Sequence, residues 1–276
     1  MHDQARRRWT LDDIPWDRFD PGRVDPDLVR VVKAASLVES NGSVYAEYLC
    51  GVFDDDEPFQ AAARDWALEE EQHGAALARW AQLADPEFDY RAAFARFRNT
   101  IRLPVGTRRS VRGSRSSELV ARCMVEVGTS SLYTALHDVS EEPVLRAICA
   151  RIAADEVRHY KLFRFYLQRY QAVERLPLWR RVLVAARRVK ETGDDELPFA
   201  YYSANGARGA YDRRRNARAY ARRVYRHYRR RHIDRAAAMA FKAVGLNPNG
   251  WLCRLTARLA GLAVRFWNRR LAAIGA

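Results

Sequence analysis

Apolar positions recur every three to four residues along most of the chain, and runs of strictly alternating polarity are missing. This period places apolar side chains on one face of a helix, so the pattern predicts an all-α protein. The most regular segments predict four long helices, and further segments predict helices towards the C-terminus. The long helices are expected near 26–52, 57–84, 116–138 and 141–170, and the others near 176–192, 195–206, 209–244 and 250–273.

Proline and turn residues support several of these limits. Pro26, Pro58 and Pro143 each follow an acidic residue, and the first turn of a helix tolerates proline. Asp85-Pro86 closes the second helix because a helix usually ends before a proline. The basic, serine-rich segment 107–118 predicts a connector before the third helix.

Two pairs of segments repeat at nearly the same spacing. LVESNGSVYAEYL (37–49) parallels MVEVGTSSLYTAL (124–136) at an offset of 87, and LEEEQHGAAL (68–77) parallels ADEVRHYKLF (154–163) at an offset of 86. A near-constant offset is what a duplicated helical hairpin leaves in a sequence. We therefore expect a four-helix bundle within residues 1–175, with residues 176–276 forming an arginine-rich helical extension on or beside it.

The repeat carries a pattern of metal ligands. Each of its later segments contains Glu-x-x-His, whose two side chains share one helix face. Each earlier segment supplies one glutamate at a matching position, which completes the ligand inventory of a di-iron or di-manganese carboxylate bundle. Two cations would also neutralise four glutamates that are costly to bury unpaired. The predicted ligands are Glu39, Glu70, His73, Glu126, Glu156 and His159.

Other acidic and histidine residues near this pattern receive different roles. Glu47 has Thr134 as its repeat partner, so we expect it to support the ligands from behind or to be structural, rather than to be a ligand. Glu69 and Glu71 are expected to be solvated, whereas Asp155 is placed to orient an imidazole by hydrogen bonding. The remaining histidines have no partner motif and are expected at the surface: His2, His137, His227 and His232.

At these residues the chain resembles the soluble acyl-acyl carrier protein desaturase family. ICARIAADEVRH (148–159) resembles the fourth ligand helix of that family, and WALEEEQHG (66–74) resembles the second, including Trp66 four residues before Glu70. The resemblance covers residues 37–165. It implies a ferritin-like four-helix bundle with two iron ions, and manganese is the alternative metal.

The resemblance also implies roles for individual residues. The bridging glutamates would be Glu70 and Glu156, the terminal ones Glu39 and Glu126, and His73 and His159 would each bind one iron. Thr129 matches a threonine beside the oxygen-binding face. Asp155 matches an acidic residue of an electron path, whose outer partner would be a tryptophan near the N-terminus, here Trp9.

The activity implied by the resemblance is the oxygen-dependent oxidation of an aliphatic acyl chain, with a ferredoxin or similar electron donor. Desaturation and hydroxylation start from the same site, and the sequence does not separate them. Gly42 and Thr129, each one turn beyond a terminal glutamate, are small residues beside which a substrate cavity could lie. Iron storage or oxidation without an organic substrate is the second candidate function, against which the desaturase-like motifs count.

Charge is distributed very unevenly along the chain. Residues 207–276 contain 18 of the 48 Lys and Arg residues but only two acidic residues, a net charge of +16. Segments 211–232 and 251–271 interleave arginine with aromatic and apolar residues, as basic amphipathic helices do. Two acidic partners fit, an acyl carrier protein and an anionic membrane surface. The alternative is that the apolar stripes pack on the bundle; no nucleic-acid-reading motif accompanies the arginines.

The cysteines and the apolar stretches bear on the compartment of the protein. The four cysteines are scattered without a C-x-x-C pair, as in reduced cytosolic proteins. The N-terminus has no apolar segment typical of a secretory signal, and arginines interrupt every long apolar stretch. We expect a cytoplasmic protein, peripheral at the inner face of the membrane if it docks on lipid. A homodimer is compatible with the sequence.

Overall fold

The computed structural model describes residues 8–191, 195–207 and 209–273. Within these residues the backbone forms α-helices and short 3-10 turns and no strand, so the all-α prediction is confirmed. The helices are α1 (Pro26–Glu39), α2 (Gly42–Val52), α3 (Glu57–Ala84), α4 (Tyr90–Thr100), α5 (Arg115–Val139), α6 (Pro143–Glu174), α7 (Leu178–Glu191), α8 (Glu196–Ala204), α9 (Arg213–Tyr225), α10 (Arg230–Val244) and α11 (Trp251–Ala273). In this part of the chain, no helix is both long and apolar enough to span a bilayer.

The observed helix limits agree with the predicted ones at α3 and differ in three places. The segment predicted as one helix over 26–52 is interrupted at Ser40 and Asn41, two residues of low helix propensity. The predicted helix over 209–244 is likewise two helices, α9 and α10. Helix α4 was not predicted, because it buries little more than Ala93 and Phe97 and its apolar signal is weak.

Two helical hairpins form the bundle, as the repeat predicts. Helices α1 and α2 together pack on α3, and α5 packs along α6. The buried apolar side chains form two layers, one built around Trp80 and Ile148 and the other around Phe59 and Phe163. Polar ligand candidates on all four bundle helices fall between these two layers, so the fold itself sets the level of the site.

The helices after residue 175 extend both apolar layers. Phe199 and Tyr201 of α8 and Tyr220 and Val224 of α9 join the layer around Trp80. Helix α10 joins the other layer through residues such as Val244. The aromatic stripe of segment 211–232 therefore packs on the bundle, which was the alternative to binding of an acidic partner by this stripe.

Candidate metal centre

The six predicted ligands lie together in the bundle interior, and all six are buried. Their ligand atoms form two groups in which the atoms lie within 4.8 Å of one another. One group is Glu39, Glu70, His73 and Glu156, and the other is Glu70, Glu126, Glu156 and His159. Glu70 and Glu156 belong to both groups, which suits two adjacent cations that share two carboxylates.

Each histidine directs its Nδ1 atom towards the carboxylates that the two groups share. His73 Nδ1 lies 3.4 Å from Glu156 Oε1, and His159 Nδ1 lies 2.9 Å from Glu70 Oε1. Each Nδ1 also lies 3.8 Å from the glutamate found only in its own group, which is Glu39 for His73 and Glu126 for His159. Each group thus contains one imidazole and one unshared carboxylate.

The Nε2 atom of each imidazole faces an acidic residue outside the two groups. His73 Nε2 lies 3.1 Å from Asp155 Oδ2, and His159 Nε2 lies 3.0 Å from Glu69 Oε2. Asp155 thus has the orienting contact expected of it. The expectation of a solvated Glu69 is wrong, because this side chain turns into the bundle to meet the imidazole of α6 and is 9% exposed.

Residues near the N-terminus close this face of the site. Trp9 Nε1 donates to Asp155 Oδ2 at 2.7 Å, and the Trp9 ring stacks on His73 with ring centroids 5.9 Å apart. Arg8 Nε lies 2.8 Å from Glu69 Oε1. Arg158 contacts both Asp155 and Glu69, so positive charge balances the two acids behind the imidazoles.

Without a bound cation, burial and neighbouring charges shift the pKa values of the acids and of one imidazole in the site. Burial and the charge of Glu156 raise the pKa values of Glu70 and Glu126 well above their ordinary range. Burial opposes the charged form of Glu156 too, but the adjacent imidazoles of His73 and His159 lower its pKa. Burial lowers the pKa of His73, yet its acidic partners prevail and raise it well above the ordinary value.

The residues present fit a pair of divalent cations. Six buried ligand atoms have no hydrogen-bond partner: Glu70 Oε1, His73 Nδ1, both carboxylate oxygens of Glu126, Glu156 Oε1 and His159 Nδ1. A buried polar atom without a partner is destabilising, and a cation bound by these atoms would remove that penalty. Both imidazoles have Nδ1 towards the group and Nε2 towards an acid, the arrangement of metal-bound histidines. The buried Glu and His groups could therefore hold metal.

A cavity of about 290 Å³ opens beside the carboxylates. Glu39 and Glu70 form part of its wall, and the small residues Gly42 and Thr129, beside which a cavity was expected, both line it. The Thr129 hydroxyl contacts the carboxylate of Glu156. Much of the remaining lining is apolar or aromatic, including Val38, Val125, Leu132, Leu197, Tyr220 and Val224.

Part of the cavity wall is polar. Arg122 precedes Glu126 by one helical turn on α5, is 8% exposed, and has a guanidinium Nε without a partner. Its guanidinium lies 5.1 Å from the centre of the Tyr45 ring, and the Tyr45 hydroxyl donates to Glu196. Burial and the charge of Glu39 raise the pKa of Glu196 to about 7.

The remaining predicted positions lie away from the centre or outside the described residues. Glu47 is exposed, in keeping with the choice of Glu39 as the ligand. His137 and His227 are partly buried, and His2 lies outside the described residues. The expectation of a surface position for His232 is wrong: it is 2% exposed, because its Nε2 lies 2.6 Å from Asp138 Oδ2.

Sequence reasoning missed three contacts of the site. The repeat contains a signal for Glu69, since an offset of 86 aligns it with Asp155, the acid that was assigned a contact with an imidazole. Tyr133, which donates to Glu39, and the Arg122 and Tyr45 pair have no comparable motif. Their places depend on how the helices pack.

Comparison with protein families identifies the family to which the chain belongs. The family model described as fatty acid desaturase matches residues 44–189, which is 146 of the 276 residues. The matched segment includes the helices that carry Glu70, Glu126 and Glu156. A comparison with curated proteins gives no match. With more than half of its length matched, and with buried carboxylate and imidazole groups suited to metal, the chain belongs to the fatty acid desaturase family, whose members are oxidoreductases.

Proposed function

We propose that this protein is a di-iron, oxygen-dependent oxidoreductase that acts on an aliphatic acyl chain in the manner of an acyl-acyl carrier protein desaturase. The observation that carries the proposal is the juxtaposition of the two ligand groups with the largely apolar cavity. The two groups share Glu70 and Glu156, and the cavity reaches Glu39 and Glu70 directly. A chain lying in this cavity would have its methylene groups next to the metal pair.

The proposed ligands are Glu39, Glu70, His73, Glu126, Glu156 and His159. Mixed carboxylate and imidazole ligands suit iron, with manganese as the alternative. Two ferrous ions would supply the electrons that activate dioxygen. Desaturation then removes two hydrogens from adjacent methylenes and, with two external electrons and two protons, converts one dioxygen to two waters. The external electrons require a donor such as a ferredoxin.

The protein's own residues would orient the substrate and limit access of water. Arg122 is buried and lines the cavity, so it is suited to the oxygen-bearing end of an acyl chain. Leu132 follows Glu126 by six residues on α5, on the far side of the site from Arg122, and the aromatic residues of α9 continue that wall. This polarity favours one direction of binding, with the hydrocarbon tail passing the carboxylates.

The proposed route for external electrons passes through Trp9 and Asp155. Trp9 is hydrogen-bonded to Asp155, and Asp155 is hydrogen-bonded to His73. A chain of hydrogen bonds therefore leads from the N-terminal segment to the proposed ligands. Trp9 and Asp155 line a small surface pocket that shares no lining residue with the substrate cavity, so the proposed electron entry is separate from substrate entry. Trp9→Phe would keep the ring and remove the hydrogen bond.

The test is metal analysis followed by product analysis. The purified chain is loaded anaerobically with ferrous iron and studied by Mössbauer spectroscopy, with a coupled pair of irons as the expected result. Acyl chains on an acyl carrier protein are then supplied with reduced ferredoxin and oxygen. Loss of two hydrogens indicates desaturation, and gain of one oxygen indicates hydroxylation. Glu156→Ala is the control that removes both iron and product.

An unchanged acyl chain together with continued iron oxidation would contradict the proposal. Stoichiometric deposition of ferric mineral in the same experiment would assign the site to iron storage instead. Full iron loading of the Glu156→Ala and His159→Ala variants would show that these residues are not the ligands.

A further inference from the structure

Helix α11 contacts the rest of the protein through a narrow line of small residues. Cys253 and Ala257 are 3% and 2% exposed, and Gly261 is also buried, next to Ile233 of α10. These positions are four residues apart, so they form one stripe along the helix. Asn268 continues the line and donates to the backbone carbonyl of Tyr225 at 3.0 Å. Seven large apolar residues of α11, from Trp251 to Trp267, are exposed and do not attach it.

Those large residues form a second stripe that faces away from the protein. Trp251 is 64% exposed, Phe266 57% and Trp267 53%. The others in the stripe are similarly exposed: Leu252, Leu255, Leu259 and Leu262. With a rise of 1.5 Å per residue, the stripe from Trp251 to Phe266 is about 22 Å long, and Trp267 lies on the flank opposite Arg254. An exposed apolar area of this extent is typical of a surface that another phase or molecule covers.

The charge of α11 has one sign. Residues 251–273 contain no acidic residue and five arginines, Arg254, Arg258, Arg265, Arg269 and Arg270. At 100° per residue, Arg254, Arg258 and Arg265 lie on one flank, between the attached stripe and the apolar stripe. All three are exposed. The helix therefore presents an apolar stripe outwards with cationic groups beside it.

We infer that α11 binds an anionic lipid surface, with its axis in the plane of the interface. A helix with a polar flank and an apolar stripe buries the stripe at the boundary between head groups and acyl chains, and arginines contact the lipid phosphates. Trp251 and Trp267 suit that depth because their rings are amphipathic. The five arginines exclude a spanning orientation for this helix.

A lipid surface fits this helix better than an acidic carrier protein does. Recognition of an acidic protein requires the arginines but would leave the leucine and tryptophan stripe in water unless the partner were also apolar. A bilayer covers the stripe and neutralises the arginines together. The inference does not depend on the proposed metal chemistry. Asn268, on the attached side of α11, donates to the backbone carbonyl of Tyr225, a residue that lines the substrate cavity, so the attached side of the helix lies near that cavity.

The test is co-sedimentation of the full chain with vesicles at low ionic strength. We expect binding to vesicles of phosphatidylcholine with phosphatidylglycerol, and little binding to phosphatidylcholine alone. Replacing Arg254, Arg258 and Arg265 together by Gln should weaken binding on the order of 100-fold, since each basic residue at a lipid surface contributes about a factor of five. Replacing Leu255, Leu259 and Phe266 together by Asn should also abolish it.

The matched control changes the same charge elsewhere. Arg213, Arg214 and Arg215 at the start of α9 are replaced together by Gln, and vesicle binding should change less than twofold. Circular dichroism should show native helix content in all variants, because the substituted side chains are exposed.

Three results would overturn the inference. One is the absence of binding to anionic vesicles at low salt, and another is equal loss of binding in the α9 control. The third is a different occupant of the stripe. A soluble complex with acyl carrier protein, or a dimer of this chain, that is lost in the Leu255, Leu259 and Phe266 variant while vesicles do not bind would assign the stripe to a protein.

Discussion

Each imidazole of the candidate centre is held by an acid from the opposite hairpin. His73 of α3 meets Asp155 of α6, and His159 of α6 meets Glu69 of α3. The two acids occupy equivalent positions of the repeat, one residue before a shared glutamate. An acid on Nε2 fixes the tautomer that leaves Nδ1 free to bind a cation. Metal affinity should therefore depend on residues that do not bind the metal themselves.

We predict that Asp155→Asn and Glu69→Gln each weaken metal binding by about 10- to 100-fold without unfolding the protein. Each substitution keeps the shape of the side chain and removes the charge that orients the imidazole. Affinity would be measured by competition with a chromophoric chelator, and folding by circular dichroism. Glu47→Gln, at an exposed glutamate of α2, is the matched control. Equal affinities in all three variants would mean that the acids serve only packing.

We also predict that Thr129→Val retains iron but changes the reaction with oxygen. The hydroxyl contacts Glu156, one of the two shared carboxylates, and faces the cavity. Valine has a similar shape but cannot donate a hydrogen bond, so the environment of Glu156 changes while the ligands remain. Stopped-flow absorption would follow oxygen consumption, and product yield would be determined in parallel. Thr129→Ser should restore wild-type behaviour; no change in Thr129→Val would exclude this role.

At this scale the sequence predicted which six side chains lie together, but only part of their surroundings. Residues such as Glu70 and His73 could be found because their spacing and their repeat both indicate one helix face. Arg122 could not be found in the same way, since an arginine on a helix is usually solvated and only packing against Tyr45 makes it buried. Local spacing determines contacts within a helix, whereas contacts between helices depend on the whole fold.

At the scale of elements, the junction of α1 and α2 approaches α3 at two glycines. A Cβ atom at Gly74 would lie 2.1 Å from Ser40 Oγ and 2.6 Å from Ser40 N. A Cβ atom at Gly42 would lie 2.8 Å from Glu70 Cβ. Distances this short cannot be accommodated without a backbone shift. The interruption of the first bundle helix thus lies where Glu39 approaches the candidate ligands on α3.

We predict that Gly74→Ala destabilises the protein by about 1–3 kcal/mol and weakens metal binding. The added methyl group would displace Ser40, the residue next to Glu39. Urea unfolding would measure stability, and chelator competition would measure metal affinity. Gly128→Ala is the control, because no atom lies within 4 Å of the added Cβ there, and alanine favours helix by about 0.5–1 kcal/mol. Equal stability of the two variants would contradict the close approach.

Helix positions were easier to predict than helix interruptions. The limits of α3 follow from Pro58 and from Asp85-Pro86, which are local signals. The break before Gly42 coincides with the close approach of Ser40 to Gly74, a contact between residues far apart in sequence. Apolar periodicity continues across this break and across the break between α9 and α10, so it predicts neither of them.

At the scale of the whole molecule, the buried acids make the metal-free protein sensitive to pH. Its Glu70 and Glu126 have pKa values raised above the ordinary 4.5, and His73 has a pKa raised above the ordinary 6.5. A raised carboxyl pKa favours the folded state at low pH, and this contribution is lost as pH rises from the unfolded towards the folded pKa. The raised pKa of His73 acts in the same direction above its unfolded value. The lowered pKa of Glu156 leaves its contribution complete above pH 4.5.

We therefore predict that the free energy of unfolding of the metal-free protein falls as pH rises from about 5 to about 8, by up to about 1.4 kcal/mol per pH unit for each of these groups. Bound divalent metal should remove much of this trend by neutralising the carboxylates. Urea titrations with chelator, and again with ferrous or manganous ion, would measure both slopes. The Glu70→Gln, Glu126→Gln double variant should have a shallower slope without metal. A free energy that rises with pH in the presence of chelator would contradict the electrostatics of the site.

The final prediction concerns the division of the chain at residue 175. The sequence predicts a bundle within residues 1–175 and a helical extension on or beside it, and α8 and α9 share one apolar layer with the bundle helices. Ser203 Oγ donates to the carbonyl of Ala93, and Arg223 Nε lies 2.8 Å from Asp27 Oδ1, so polar contacts join the two parts as well.

We predict that a chain ending at residue 175 neither unfolds cooperatively nor binds two metal ions. A chain ending at residue 249 should unfold cooperatively and bind two metal ions. Removing α8 and α9 exposes the bundle side chains that they cover, and each large apolar side chain returned to water costs about 1.5–3 kcal/mol. A few such losses equal the 5–15 kcal/mol that stabilises a typical domain. Removing α11 exposes little, because its attached stripe consists of small residues such as Cys253 and Ala257. Calorimetry and iron analysis would compare the two chains. A chain of residues 1–175 that melts cooperatively with two bound irons would show instead that the bundle is autonomous and that the arginine-rich helices were added to a complete domain.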